Sequence, residues 1–569
     1  MTTIRVGNIE VLFRPSTPVE ESSYPGFNQG SYILPKGSVH REGGMPLTCD
    51  ILVEQDVPIR LRDGVTVRTD VYRPVDAVNV PAIVGWSPYG KRGSWLTNDV
   101  FGHPTRMDVP VHWEDGLNKF EAPNPAYWVA HGYAVVAPDS RGVFMSEGDI
   151  RTWGPQEPLD EYDVIEWVGT QPWCNAKVGL SGNSMLAMSQ WFVAALRPPH
   201  LAAIAPWEGA SDIYRDTSCR GGIPEIKFSG GIFSHIYGHT RTEDLIAMTL
   251  AHPLYNDYWD AKAAKLKDIV VPAYIVASWT NILHTAGTLR GWKEISSAEK
   301  WLRVHNTFEW PDYYNPANVD DLRRFFDCYL KGIDNGWSAT PRVRLTVLNP
   351  GGMDTVGRAE LDFPLKREVL TPFFLHIASD GNVLFEEPQA NKREISYDSH
   401  SKAGARFQIR FDQDTEVTGY MKLKLWVETR EHDDMDVFAF IRKLDVNGQE
   451  QQTEVVTDRP FLGPNGRLRA SLRAIDETRS TASEPYLNYD KSEKLKSGEV
   501  VPLEIGFWPY SMSWKQGETL ELIICGVNLL VRPEFPQVPP EDTLNKGAHI
   551  IHSGAEYDSH LLIPIIPNA

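Results

Sequence analysis

A short apolar strand that runs into a tight turn and then a helix is the feature that most constrains the fold of this chain. The stretch covers Lys177–Gln190 and reads KVGLSGNSMLAMSQ. In such a unit a serine at the turn projects its hydroxyl outward, and the next backbone N–H faces a developing oxyanion at the helix N-terminus. Because the turn is crowded it needs small residues, which Gly182 and Ala187 supply. Ser184 is therefore the candidate nucleophile.

Two other interpretations of this stretch stay open. Ser181 also stands in a G-x-S frame, but it falls within the apolar strand and no helix follows it directly. Leu186 departs from the plain G-x-S-x-G form. The stretch is also compatible with an ordinary strand–helix turn whose serine caps the helix. The rest of the chain must decide between them.

Buried strands alternate with helices over the first part of the chain. Continuous apolar runs predict strands at 81–86, 133–137, 177–180, 201–206, 273–278 and 301–304, and helical periodicity predicts helices at 160–171 and 319–331. Residues 57–72 alternate around Asp63-Gly64, which is typical of a hairpin. Fully apolar strands between helices indicate a parallel sheet covered on both faces, and hence an α/β fold.

The pattern divides the chain into four parts. Residues 1–45 are rich in Pro, Gly and Ser and predict an N-terminal arm on the surface. Residues 46–207 and 267–340 form the α/β domain, and 208–266, with Gly-rich turns and amphipathic stretches, form a helical cap inserted between its strands. From 341 to 569 short alternating segments predict an all-β sandwich of jelly-roll type.

Composition excludes several classes of function. The chain has 569 residues, enough for two to four domains, and a net charge of −19 from 56 basic and 75 acidic residues. This balance disfavours nucleic acid and anionic membrane as partners. The N-terminus lacks a signal-peptide pattern and no stretch has the length of a membrane span, so we expect a cytoplasmic protein. The five cysteines are widely spaced and predict neither disulfides nor a zinc site.

An ordered set of short motifs resembles the CocE/NonD hydrolase family, which groups cocaine esterases, α-amino-acid ester hydrolases and X-Pro dipeptidyl-peptidases. The resemblance covers roughly residues 48–569. In the first part the motifs are Arg62-Asp-Gly-Val65, Ser87-Pro-Tyr-Gly-Lys91, Asp139-Ser-Arg-Gly142, Ser146-Glu-Gly148, Gln171-Pro-Trp-Cys-Asn175, the turn at Ser184 and Phe325–Gly332. In the second part they are Val417-Thr-Gly419, Asp434-Met-Asp436, Gly466–Arg473 and Gly517–Leu520. The resemblance implies an α/β-hydrolase domain, a helical cap and a C-terminal jelly roll.

The resemblance also implies an oxyanion hole. In the family it is formed by the backbone N–H that follows the nucleophile, here Met185, and by a tyrosine hydroxyl in an N-P-Y or S-P-Y turn, here Tyr89. A phenol and an amide preset around a developing oxyanion each supply roughly 3 kcal/mol of transition-state stabilisation. Met185 replaces the tyrosine that the family usually has after the serine, which predicts an altered pocket shape with the backbone contact retained.

The sequence departs from the family at the acid and the base. Asn281 stands where the family has its aspartate, and Glu309 stands near the position of the family histidine. His284 and His305 are the histidines close by, and each is a candidate base for Ser184, with Glu309 or Asp312 as the orienting carboxylate.

We favour His305 as the base, because its own loop supplies both of these carboxylates. The alternative, that both histidines are structural and the hydrolytic triad is broken, stays open. A triad that loses its charged orienting group loses about 10⁴ in rate.

Two classes of function follow. The first is a serine hydrolase that cleaves an ester or amide of a small, apolar substrate through an acyl-enzyme on Ser184. The second is a repurposed scaffold that performs cyclisation, isomerisation or lyase chemistry on an activated carbonyl. Aromatic residues around the cap suggest an apolar substrate; they are Trp207, Tyr214, Phe228, Phe233 and Tyr237. A carbohydrate-binding β protein has no support beyond architecture. No cofactor or metal motif appears, and a homo-oligomer stays open.

Overall fold

The computed structural model describes residues 3–92, 106–379, 381–456, 459–530 and 541–567. Strands of the first 360 residues are β1 Arg5–Val6, β2 Ile9–Glu10, β3 Phe13–Pro15, β4 Gly30–Leu34, β5 Ile51–Arg60, β6 Thr66–Pro74, β7 Val80–Val84, β8 Ala134–Asp139, β9 Cys174–Asn183, β10 Leu201–Trp207, β11 Arg241–Glu243, β12 Ala273–Ser278, β13 Lys300–His305, β14 Val343–Val347 and β15 Thr355–Glu360.

The α-helices of the described residues all lie before residue 335. They are α1 Pro125–Ala130, α2 Glu157–Gly169, α3 Met185–Ala194, α4 Lys227–Phe233, α5 Leu245–Ala251, α6 Asp257–Asp260, α7 Thr285–Glu294, α8 Glu309–Tyr314 and α9 Pro316–Lys331. Single turns of 3₁₀ helix occur at Val19–Glu21, Arg106–Asp108, Val111–Trp113, Arg220–Gly222, Leu266–Asp268, Trp337–Ala339 and Ala470–Leu472, and Tyr214–Ser218 is a π-helical turn.

One mixed sheet organises the first part of the chain. Its strand order is β15-β14-β13-β12-β10-β9-β7-β8-β6-β5-β4. The segment from β14 to β8 is parallel throughout, and the strands outside it pair antiparallel. Strands β8 and β12 are buried along their whole length, as their unbroken apolar sequences predict. Helices α2 and α3 pack on β9, and α9 packs on β9 and β10.

The inserted segment lies between β10 and β12. It contains the π-helical turn, α4 to α6 and β11, which pairs with β3 of the N-terminal arm. The predicted hairpin is formed by β5 and β6, and the predicted helices correspond to α2 and α9. Strand β4 of the arm joins the edge of the main sheet.

The rest of the chain is all β, as expected. Its strands are β16 Val369–His376, β17 Val383–Phe385, β18 Arg393–Asp398, β19 Ala405–Arg410, β20 Thr415–Gly419, β21 Lys422–Thr429, β22 Asp436–Leu444, β23 Glu450–Gln451, β24 Thr453–Val456, β25 Arg459–Phe461, β26 Asn465–Arg469, β27 Val501–Gly506, β28 Tyr510–Trp514, β29 Thr519–Cys525, β30 Ala548–Ser553 and β31 His560–Ile566. The finer jelly-roll description remains a prediction.

The main sheet continues past the predicted domain boundary at 340. Strand β14 pairs parallel with β13, and β15 pairs antiparallel with β14, so the α/β sheet continues to Glu360. Both strands are short and alternating, which made them resemble the β domain in sequence. Their place is decided by pairing with β13, which the sequence alone does not show.

Candidate active site

Ser184 lies at the sharp turn between β9 and α3. Its backbone has φ 54° and ψ −124°, a conformation that a residue with a side chain adopts only where the surrounding structure enforces it. Gly182 makes the turn sterically feasible, because a Cβ atom there would lie 2.4 Å from the Cβ of Leu186. Leu186 itself is buried behind the turn. The strain at Ser184 points to a functional hydroxyl.

The other candidate serine belongs to the packed sheet. The Ser181 hydroxyl is buried and forms a 2.9 Å hydrogen bond with the Tyr313 hydroxyl. Among the described residues, the lining of the pocket in front of the turn includes Ser184 and not Ser181. The geometry therefore favours Ser184, as the sequence analysis does.

His284 is the histidine beside Ser184. It immediately precedes α7, and its Nε2 atom lies 3.1 Å from Ser184 Oγ. Its Nδ1 atom accepts a hydrogen bond from the backbone N–H of Ala210 at 3.2 Å. Because a backbone N–H can only donate, Nδ1 carries the lone pair, and in the neutral ring the proton is on Nε2. In this resting site the imidazole therefore donates to the serine hydroxyl.

The prediction that places His305 beside Ser184 is wrong. His305 ends β13, and its Nε2 atom lies 2.7 Å from Glu208 Oε1, while its Nδ1 atom accepts from the Thr307 N–H at 3.3 Å. Glu208 immediately follows β10 and has a left-handed backbone with φ 57°. Its buried carboxyl thus holds the imidazole that the sequence analysis assigned to the serine.

Asp312 does not orient a base either. Its two oxygens accept from the Arg303 guanidinium at 2.7 and 2.6 Å, and His305 Nε2 lies 3.6 Å away. Burial alone would raise the pKa of Asp312, but the charges of Arg303 and His305 and the hydrogen bonds from Arg303 and Asn318 together outweigh burial and lower it. Asp312 is therefore an ionised partner of Arg303.

Asn281 joins two buried glutamates. Its Nδ2 atom donates to Glu208 Oε2 at 2.8 Å and to Glu309 Oε2 at 3.1 Å, and its Oδ1 atom accepts from the backbone N–H of His284 at 3.0 Å. Glu309 Oε2 also lies 3.9 Å from His284 Nε2. Burial raises the pKa of Glu208, and His305 opposes this shift. A neutral amide suits this position, because it separates two carboxyls.

Tyr89 faces the serine from the turn that follows β7. The residue is buried, and the Ser184 hydroxyl is a hydrogen-bonding neighbour of its phenol. Burial raises the pKa of Tyr89 well above its usual value, and the nearby carboxyls of Glu121 and Glu309 raise it further. The phenol therefore stays protonated and is available as a donor. Met185 begins α3, so its backbone N–H lies at the N-terminus of that helix.

A buried ion-pair cluster fixes the Tyr89 turn. The backbone N–H of Lys91 donates to Asp139 Oδ1 at 2.6 Å, and its ammonium group contacts Asp139 Oδ2 at 2.5 Å and Asp56 Oδ1 at 2.9 Å. Lys91 and Asp139 belong to the S-P-Y-G-K and D-S-R-G motifs, whereas Asp56 lies on β5 outside both. The motifs therefore describe the support of the turn as well as its tyrosine.

Glu121 is a site residue that the sequence analysis missed. It is 2% exposed, its Oε1 atom accepts from Trp310 Nε1 at 3.1 Å, and the hydroxyls of Ser184 and Tyr89 are polar neighbours of its carboxyl. Burial is the largest cause that raises the pKa of Glu121 to about 8. The segment around Glu121 has no helix or strand, so no periodic pattern marks it in the sequence.

An apolar pocket opens in front of these groups, with about 750 Å³ of empty space including its mouth. Its apolar wall consists of Phe120, Trp153, Met185, Met188, Phe228, Ile232, Phe233, Leu245, Leu283 and Trp310. Phe228 and Phe233 thus line it as the sequence suggested. The other three aromatics that we named pack elsewhere. Trp207 contacts Tyr274 and Tyr313, Tyr214 contacts Trp259, and Tyr237 contacts Phe144.

Within the described residues, one group of potential metal ligands lies together: Glu394, Glu428 and His552 of the all-β domain. These side chains already pair with one another and with Arg430, whose Nε atom lies 2.5 Å from Glu428 Oε1. All five cysteines carry free thiols. None of the described helices combines the length and apolar character that crossing a membrane needs.

The parallel sheet and the strained serine turn define an α/β-hydrolase-type enzyme, and comparison with known proteins agrees. Residues 63–234 match the X-Pro dipeptidyl-peptidase (S15 family) model, and residues 335–562 match the X-Pro dipeptidyl-peptidase C-terminal non-catalytic domain. A CocE/NonD family hydrolase of Staphylococcus aureus is 33% identical in sequence and superposes with a TM-score of 0.88, covering 100% of this chain and 99% of its own. The chain therefore belongs to the CocE/NonD family of hydrolases.

More distant relatives share less of the chain. The cocaine esterase of Rhodococcus sp. (strain MB1 Bresler) is 26% identical over 382 residues, which are 57% of this chain and 62% of the esterase. The match thus spans less than two thirds of that enzyme. An α-amino acid ester hydrolase, 16% identical with a TM-score of 0.67, covers 91% of this chain and 96% of its own. That likeness shows the fold alone.

Proposed function

We propose that the protein is a serine hydrolase that cleaves an ester or amide of a small, apolar substrate through an acyl-enzyme on Ser184. One observation carries the proposal: the hydroxyl of a serine in a strained strand–helix turn lies 3.1 Å from His284 Nε2, at the base of an apolar pocket. A nucleophile held in this way attacks a bound carbonyl, and water later releases the acyl group.

The groups around Ser184 support stabilisation of the tetrahedral intermediate. The Tyr89 phenol is held protonated beside the serine, and the Met185 N–H stands at the start of α3. Donors fixed in advance around a developing oxyanion are typically worth about 3 kcal/mol each. Tyr89 and Met185 are therefore the proposed oxyanion hole.

The pocket wall supports an apolar acyl or alcohol group. Aromatic and aliphatic side chains form most of the lining around the serine, and Glu121, Glu225 and Glu309 are the carboxyls among them. The net charge of −19 disfavours polyanionic partners. A small uncharged carbonyl compound is the proposed substrate, without a cofactor or a nucleic-acid or membrane partner.

A second candidate is non-hydrolytic chemistry on an activated carbonyl, such as cyclisation, isomerisation or a lyase reaction. The hydrogen bond from the Ala210 N–H to His284 Nδ1 favours it, because a proton on Nε2 prevents the resting imidazole from accepting one from Ser184. The same oxyanion hole would stabilise an enolate without any acyl-enzyme. The position of Asn281, where the family has aspartate, supports this candidate in the same way.

Labelling with a fluorophosphonate probe distinguishes the two. We expect wild type to gain one phosphonyl group, Ser184→Ala to gain none, and the matched control Ser181→Ala to be labelled like wild type, because Ser181 lies within the sheet. Intact mass and peptide mapping give the readout. A wild type that is not labelled would favour non-hydrolytic chemistry, and labelling at Ser181 would assign the nucleophile to that residue.

A further inference from the structure

The resting hydrogen bonds leave open where the Ser184 proton goes during attack. His284 Nε2 donates to Ser184 Oγ, because Nδ1 of the same ring is occupied by the Ala210 N–H. A hydroxyl that accepts from the imidazole directs its own proton elsewhere. The acceptor must be a group within reach of Oγ that has a free lone pair.

Glu121 has such a lone pair, and its surroundings hold it in place. Its backbone N–H donates to the Tyr314 hydroxyl at 2.8 Å, its carbonyl accepts from the Asn183 N–H at 3.1 Å, and its Oε1 atom accepts from Trp310 Nε1 at 3.1 Å. Its Oε2 atom is buried and accepts no hydrogen bond from the described residues in the resting site. The carboxyl has the hydroxyls of Ser184 and Tyr89 as neighbours.

The other carboxyls near the serine are already engaged. Glu208 uses Oε1 for His305 and Oε2 for Asn281, and Glu309 Oε2 accepts from Asn281. Glu121 also has a left-handed backbone with φ 59°, a strained conformation that recurs at functional positions. The polar neighbours of the Glu121 carboxyl include the nucleophile.

We infer that Glu121 is the general base that removes the proton from Ser184. The inference rests on the proposed acyl-enzyme mechanism. As Oγ bonds to the substrate carbonyl carbon, its proton passes to Glu121 Oε2, and the carbonyl π electrons move to the oxygen held by Tyr89 and Met185. When the intermediate collapses, the bond to the leaving group breaks and that group takes the proton from Glu121. His284 meanwhile donates Nε2–H to Oγ and holds its orientation.

Burial suits Glu121 to this role. Burial raises the pKa of the carboxyl to about 8. The hydrogen bond from Trp310 and the neighbouring hydroxyls of Ser184 and Tyr89 oppose this shift, and Glu208 adds to it. The Glu309 carboxyl is a further charged neighbour of Tyr89 and raises the pKa of its phenol. A base with a pKa near the working pH combines an accessible ionised form with a strong proton affinity. Since the ionised form is the base, acylation should increase as the pH rises through 8 and level off above it.

The experiment follows the rate of fluorophosphonate labelling of Ser184 from pH 6 to pH 9.5. Wild type should show a midpoint near 8. Glu121→Gln should label about 10²–10³-fold more slowly without that midpoint, and Glu121→Asp should restore part of the rate together with a pH dependence. His284→Gln, which keeps a donor toward Oγ, should be slower but retain the midpoint. Each variant is checked by thermal unfolding at pH 6, where Glu121 is protonated and glutamine is nearly isosteric.

Glu161→Gln is the matched control. Its carboxyl is also fully buried, burial raises its pKa well above the usual value, and it lies on α2 outside the pocket lining. The Glu161→Gln variant should be labelled at the wild-type rate and with the wild-type midpoint. A Glu121→Gln protein that labels at the wild-type rate with the same midpoint overturns the inference, as does loss of the midpoint in His284→Gln alone. A wild type that is not labelled at any pH overturns the proposed hydrolase, and the base with it.

Discussion

At the scale of single residues, Tyr89 should act in turnover more than in binding. Its phenol is buried, protonated and adjacent to Ser184, and the Lys91 cluster fixes its turn. Tyr89→Phe keeps the ring and removes the donor, so we expect kcat to fall by about 10²–10³ with little change in KM. Steady-state kinetics on an activated ester measure both constants. Equal losses in kcat and in binding would contradict a role specific to the transition state.

Replacing Asn281 with the aspartate of the family should lower both activity and stability. Its amide donates to both Glu208 and Glu309, so Asn281→Asp would place a third buried carboxyl between two others and remove both donors. An uncompensated buried charge typically costs about 3–5 kcal/mol. We expect a lower thermal midpoint and lower activity. Asn447→Asp, in an exposed turn of the all-β domain, is the control and should change neither; a more active Asn281→Asp would refute this account.

At the scale of secondary-structure elements, local patterns explain why the fold and the serine turn were predictable. Unbroken apolar runs predicted β8 and β12, and small residues beside Ser184 predicted the strained turn. Each of these features depends on residues that are close in sequence. The Tyr89 turn was recognisable from its own short motif, although the partners that support it, Asp139 and Asp56, are distant in sequence.

The side chains that surround Ser184 could not be predicted, because their positions depend on where strand ends and loops meet. The ends of β12 and β13 lie side by side, with Ser278 paired to His305, so both His284 and His305 satisfied the rule that places sites beyond strand ends. Glu208, at the end of β10, binds one of them. The site of Glu121 is built by Tyr314 and Trp310, almost two hundred residues away in sequence. No local spacing encodes such contacts.

At the scale of the whole molecule, the α/β domain and the all-β domain share one buried interface. Trp279, just after β12, is buried and donates from Nε1 to the Thr346 carbonyl of β14 at 2.6 Å, while its ring packs against Phe363 and against Tyr510 of the all-β domain. Arg220 of the cap donates to the Asn465 carbonyl at 3.0 Å, and its guanidinium lies 3.8 Å over the ring of Trp508. The pocket wall formed by the cap is therefore attached to the second domain.

A fragment of residues 1–340 should therefore fail to fold as an active unit. Without β14, strand β13 would become an unpaired edge of the sheet. Trp279 and Arg220 would also lose their contacts with the missing residues and become exposed. An unpaired apolar edge strand is prone to aggregation. We expect an insoluble or molten product with no cooperative unfolding transition, measured by calorimetry and size exclusion beside the full chain. A monomeric 1–340 fragment that unfolds cooperatively and retains full activity would show that the all-β domain is dispensable for both stability and the site.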